Sequence, residues 1–108
     1  MSKMSRDKGK VGERELAAYL TDHGFPARRG VQYKGGAGSP DVICEGLDNI
    51  HFECKRVERL DLWGALAQAE EEKGDGEIPV VAHRPNKRGW VAILPLSCLL
   101  DLIRGTVP

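Results

Sequence analysis

No stretch of the sequence is long and apolar enough to cross a bilayer, and its opening residues are polar and charged where a secretory signal needs an apolar run. There is no Cys-x-x-Cys pair. Cys44, Cys54 and Cys98 are an odd, widely spaced set, which argues against a zinc or disulfide framework and for buried thiols in a reducing cytoplasm. Four glycines lie between Gly30 and Gly38, but no Gly-Lys-Ser/Thr ending follows them. A Walker nucleotide loop is therefore excluded, and the stretch reads as a flexible loop. No internal repeat and no linker interrupt the 108 residues, whose 41% apolar content is enough for one modest core. A single domain over residues 1–108 is expected.

Net charge is also absent, with 16 Lys and Arg against 16 Asp and Glu, but the balance hides an asymmetry. Residues 1–34 carry eight basic residues against four acids, and residues 35–108 eight against twelve. A basic first third can place cations along a phosphate backbone.

What the chain does have is concentrated between Ser39 and Lys55. Ser39-Pro40-Asp41-Val42-Ile43-Cys44-Glu45 and Ile50-His51-Phe52-Glu53-Cys54-Lys55 flank the turn residues Gly46-Leu47-Asp48-Asn49, the signal of a β-hairpin. Strand alternation puts Ile50, Phe52 and Cys54 on one face and His51, Glu53 and Lys55 on the other. A three-residue turn centred on Leu47 or Asp48 brings Asp41 level with Glu53 or Lys55 on their face; a two-residue turn sends it to the opposite face. Two carboxylates and an ammonium at one strand end repel or shift their pKa values unless a cation lies between the acids. Hard divalent ions such as Mg²⁺ favour carboxylate and water oxygens, and the neighbouring lysine is suited to a water or a phosphate.

The remaining elements are punctuated by turn residues. Residues 1–9 are expected to form a mobile basic arm, with a helix from about Lys10 to the terminator Gly24. Glu13 lies near its start, about one turn ahead of Leu16 and Ala17, and can point toward a sheet. Phe25 to Gly30 reads as an edge strand because Pro26 donates no ladder bond. Asp61 is a fitting N-cap for a helix carrying Leu62, Ala65, Leu66, Gln68 and Ala69. Its acidic run, Glu70-Glu71-Glu72, reads as a solvated face. Ile78–Arg84 and Trp90–Leu94 form a second hairpin pattern, and a last helix ends near Arg104. This order suggests an α/β sheet with helices on its faces.

Ser39-Pro40-Asp41, eleven residues, then Glu53-Cys54-Lys55 resembles the signature of the PD-(D/E)XK nuclease superfamily. Lys8-Gly9-Lys10-Val11-Gly12-Glu13-Arg14-Glu15-Leu16 resembles the first helix of Holliday junction resolvases of the archaeal type. The arginine-bearing strand, the glycine-rich loop, the Gln68 helix and the closing hairpin follow in the same order, and the resemblance covers roughly residues 8–94. Small phage-encoded nucleases are similar too. The resemblance implies a restriction-endonuclease-like α/β fold, a mixed sheet of about five strands flanked by helices, and an Mg²⁺- or Mn²⁺-dependent endonuclease that hydrolyses phosphodiesters. Its acids map onto Glu13, Asp41 and Glu53, its lysine onto Lys55, a further metal ligand onto the Cys54 carbonyl, and a residue that positions phosphate or water onto Gln68. Cys54 departs from the usual aliphatic residue. Lys8, Lys10, Arg14, Arg28, Arg29, Tyr33 and Lys34 are the expected DNA contacts. The implied partners are four-way or other branched DNA and a second copy of the chain, with dimer surface from Trp63 or the last helix. No membrane is expected, and the place of action is the cytoplasm of a bacterial, archaeal or phage-infected cell. The alternatives are a phage-type nuclease acting on flapped, branched or single-stranded DNA, and a binding module on the same fold that has lost activity.

Overall fold

The computed structural model describes residues 3–30 and 40–105, with side chains from residue 9 onward. The elements run α1 (Lys3–Asp22), β1 (Ala27–Arg29), β2 (Val42–Cys44), β3 (Ile50–Lys55), α2 (Leu62–Glu72), β4 (Ile78–His83), β5 (Val91–Ile93) and α3 (Leu96–Arg104). The strands form one sheet in the order β1-β2-β3-β4-β5. β3 and β4 are parallel, joined through α2, and the other three pairings are antiparallel. The fold is α/β with a mixed five-stranded sheet, consistent with the restriction-endonuclease-like architecture expected from the sequence.

Alternation along the strands builds two cores. Val42, Cys44, Phe52, Ile78, Val80 and Ala82 meet Leu16 and Ala17 of α1 on one face. On the other, Val81 meets Ala65, Leu66 and Ala69 of α2. The α2 face of β3 carries His51 and Glu53, both wholly buried, where the same face of β4 carries Val81. Two buried polar residues in a position suited to valine are the first sign that this face serves more than packing, since burying charge is costly unless it is paired.

Local signals set the boundaries. Asp61 caps α2 by accepting from Gly64 N at 3.1 Å, satisfying one of the free amides of the first turn. Pro79 sits in a central strand, but β5 pairs only with residues 81–83 of β4, so the missing amide breaks no ladder. α1 begins at Lys3 rather than near Lys10. No proline interrupts residues 3–10, and a helix already held by its packed half continues backward through lysines and arginine at little cost. What reads in sequence as an arm at residues 1–9 is thus, from residue 3, a continuation of the helix.

Candidate active site

The hairpin register decides where Asp41 lies. Val42 pairs with Phe52, and Asp41 N donates to Phe52 O at 2.9 Å. In this register the turn centres on Leu47 and Asp41 falls opposite Glu53, on its face. Gly46, at φ +83°, supplies the left-handed residue that the turn requires. Of the two geometries open to the sequence, the three-residue turn is the one adopted.

Asp41 stands where β2 begins, and it meets β3 with its side chain as well as its backbone N–H, while its carbonyl accepts from Gly30 N. Its Oδ2 accepts from Cys54 N at 2.8 Å. Residues 52 and 54 of a strand direct their backbone groups to the same side. The Cys54 carbonyl therefore faces the β2 side, beside Asp41. The Asp41 and Glu53 carboxyls are hydrogen-bonded to each other. Burial holds the Asp41 carboxyl above its usual range, against the hydrogen bond from Cys54. Burial also pushes Glu53 up, to about 7, with the Asp41 and Glu72 charges adding to the effect. Two buried carboxyls this close need a proton or a cation between them.

Lys55 follows on the same face, and its Nζ donates to Gln68 Oε1 at 3.1 Å. Gln68 Nε2 in turn donates to Glu72 Oε1 at 3.3 Å, and Glu72 is hydrogen-bonded to Glu53. One face of α2 thus lies along the β3 side chains and orients them. A cleft of about 360 Å³ opens at the Lys55 end, lined by Lys55, Arg59, Asp61, Gly64, Ala65 and Gln68 among others.

Glu13 arrives from the other side of the sheet. Gly12 lets α1 approach the end of β3: a Cβ there would lie 2.7 Å from Arg56 Cβ and 3.6 Å from Cys54 Sγ. The next residue, Glu13, accepts from Arg29 Nε at 2.9 Å. Burial holds its carboxyl above the usual range, and the nearby Asp41 charge adds to this. Glu15 points elsewhere, to Arg56 at 2.9 Å and to Arg84, tying α1 to the ends of β3 and β4. Burial pushes the Cys54 thiol up to about 12, with the negative charge of Asp41 adding to it; that makes it an inert core thiol and not a nucleophile.

The structure therefore brings together Asp41, Glu53, Cys54, Lys55 and Gln68, with Glu13 at the margin. Of the expected DNA contacts, Lys10, Arg14 and Arg28 are exposed, whereas the Arg29 guanidinium is engaged by Glu13. Lys8 lies in α1 with its side chain outside the described residues, and Tyr33 and Lys34 lie outside them altogether. Two residues escaped sequence reasoning. Glu72 is no solvated acid, and its spacing of four from Gln68, one helical turn, was the available signal. His51 shares the Glu53 face by simple alternation, and its Nε2 lies 3.0 Å from Glu53 Oε1. His51, Glu53 and Glu72 each offer a ligand atom within 4.8 Å of the others.

A mixed sheet whose end gathers Pro-Asp, Glu-x-Lys and a helix acid defines a PD-(D/E)XK nuclease. Residues 4–97 match the family model described as archaeal Holliday junction resolvase (hjc). With most of its length matched, the chain belongs to that family, a nuclease family that acts on DNA. No curated protein and no solved structure matches the chain. No helix among the described residues is long and apolar enough to cross a membrane.

Proposed function

We propose that this Holliday junction resolvase cuts with a divalent cation, Mg²⁺ or Mn²⁺, held by Asp41, Glu53 and the Cys54 carbonyl, with Glu13 as a further acidic ligand. The donor set fits such an ion. It consists of oxygens, it is rich in negative charge, and its two central carboxyls are close enough to share a proton. That last contact is the observation that carries the reading. A bound ion would lower the pKa of a water and offset phosphate charge.

The chain's own groups do the rest. The hydrogen bond from Cys54 N holds Asp41 in place. Gln68 holds the Lys55 ammonium at the site, where it stabilises negative charge developing on the phosphate or orients the attacking water. α1 runs past the end of β3, since Gly12 already lies against Arg56. The nine residues 3–11 extend it about 13 Å further, and they include Lys3, Arg6, Lys8 and Lys10. With exposed Arg14 and Arg28 they supply phosphate contacts without sequence readout.

A four-way junction has near two-fold symmetry, and a C2 dimer matches it with one site per cut strand. α3 supplies the surface: it has no buried residue, and Leu96, Leu99, Leu100, Leu102 and Ile103 are all exposed. An apolar patch of this continuity marks an interaction face. Trp63 is exposed as well, with Leu62 beside it, a smaller patch than that of α3.

The test is cleavage of a synthetic four-way junction with Mg²⁺ or Mn²⁺, beside linear duplex, flap and single-stranded DNA in the cytoplasmic pH range. Wild type makes paired junction cuts; Asp41→Asn and Lys55→Ala bind the junction but cut at least about 100-fold more slowly. Equal cutting of the other DNA forms removes junction selectivity, and full activity in EDTA removes the cation.

A further inference from the structure

We propose that His51 is the positioning residue for Glu53. Its imidazole fixes the carboxylate so that the cation site beside Asp41 is formed before any ion arrives. The inference rests on the cation reading above and adds to it a residue that no part of the family signature contains.

The argument starts from an anomaly of burial. His51 has no exposed surface, and Glu53 has 1%. Both stand on the α2 face of β3, where an apolar pair would pack at lower cost. Spaced two residues apart on one face, their side chains are neighbours. His51 Nε2 meets Glu53 Oε1 at 3.0 Å. Among the described residues three groups are hydrogen-bonded to Glu53: His51, Asp41 and Glu72. The last two are carboxyls. Of the three, His51 carries the N–H, so it is the one that can hold ionised Glu53 in place without a shared proton.

The ring is itself confined. It sits in register with Pro79 of β4, and its Nδ1 has no hydrogen-bond partner among the described residues. That nitrogen faces Glu77 Oε1 at 3.7 Å, an oxygen already held by Gly74 N at 2.6 Å. His51 thus lies between a carboxylate at the site and one that anchors the loop before β4. Hydrogen-bonded partners of ligating carboxylates are as much a part of metal affinity as the ligands, and their loss typically weakens binding about 10–100-fold.

The test measures Mn²⁺ binding to the full chain by electron paramagnetic resonance, alongside the Mn²⁺ dependence of junction cleavage. His51→Leu fills the space without an N–H, and His51→Gln keeps an N–H donor. Circular dichroism and junction binding establish that each variant is folded. The expected result is at least about 10-fold weaker Mn²⁺ binding in His51→Leu, substantial recovery in His51→Gln, and unchanged junction affinity in both. In a Glu53→Gln background, His51→Leu brings no further loss. Should His51→Leu fail to fold, His51→Gln against Glu53→Gln, His51→Gln carries the same comparison. Wild-type Mn²⁺ dependence in folded His51→Leu, with Asp41→Asn impaired, overturns the role of His51 alone. Undiminished Mn²⁺ binding in Asp41→Asn overturns the cation site itself.

Discussion

The buried acids make the stability of the metal-free protein fall as pH rises, the reverse of ordinary acid denaturation. Glu53 is raised by burial from its ordinary 4.5 to about 7. The folded state therefore holds a proton that the unfolded chain releases. A carboxyl with a raised folded pKa contributes stability that is full below 4.5 and lost as pH climbs to about 7. One pKa unit corresponds to about 1.4 kcal/mol, so the whole window is worth about 3 kcal/mol, of which about 2 kcal/mol falls between pH 5 and pH 7.5. Asp41, raised by burial, acts in the same direction. So does His51: burial pulls its imidazole down, but the hydrogen bond and charge of Glu53 outweigh this and hold it high. Its contribution is lost as pH rises through its folded value. Glu72 is lowered by its hydrogen bond to Glu53; it acts oppositely, but only below pH 4.5. Urea unfolding in EDTA from pH 5 to 7.5 reads the trend. Adding Mg²⁺ at about a hundred times its Kd returns about 3 kcal/mol at pH 7.5. Glu53→Gln flattens the pH dependence and makes the metal-free protein more stable than wild type at pH 7.5. Stability in EDTA that is flat or rises over this range, or a Glu53→Gln profile parallel to wild type, refutes the shared-proton picture of the site.

Other perturbations probe the frame around the site. Gly12→Val drives a branched side chain into Arg56 Cβ, 2.7 Å from the ideal Cβ position; unfolding shows a loss of about 1–3 kcal/mol, and junction cleavage falls as α1 shifts Glu13. Asp61→Ala removes the α2 cap at about 1 kcal/mol, measured by urea titration. Leu99→Asp with Ile103→Asp breaks the proposed dimer, seen by analytical ultracentrifugation. Because both residues are exposed, monomer stability stays within about 0.5 kcal/mol per site. A variant that remains dimeric moves the interface off α3.

Much of this molecule is legible along the chain. Alternation in Ile50–Lys55 assigned each side chain to its face, because a strand has a period of two and both faces of this one are covered. The Gly46-Leu47-Asp48-Asn49 stretch declared a turn, and Asp61 declared a helix start, because these are local backbone preferences that need no distant partner. The ordered matches from α1 to β5 carried the nuclease family. Register was not legible: the sequence allows Asp41 on either face, and the pairing of Val42 with Phe52 decided it. Nor was the start of α1, since a helix anchored at Leu16 and Ala17 propagates backward with no stop signal. Glu72 and the engagement of Arg29 by Glu13 were hidden because each depends on a contact between elements, α2 on β3 or α1 on β1, at distances set by packing. His51 shares a strand and a face with Glu53, and what alternation left hidden was its complete burial. The sequence by itself determined which chemistry the chain carries, because residue type and local period are properties of neighbours. Only the tertiary structure decided which carboxyls are buried side by side and which are paired with arginine, because burial and charge pairing are properties of the packed whole.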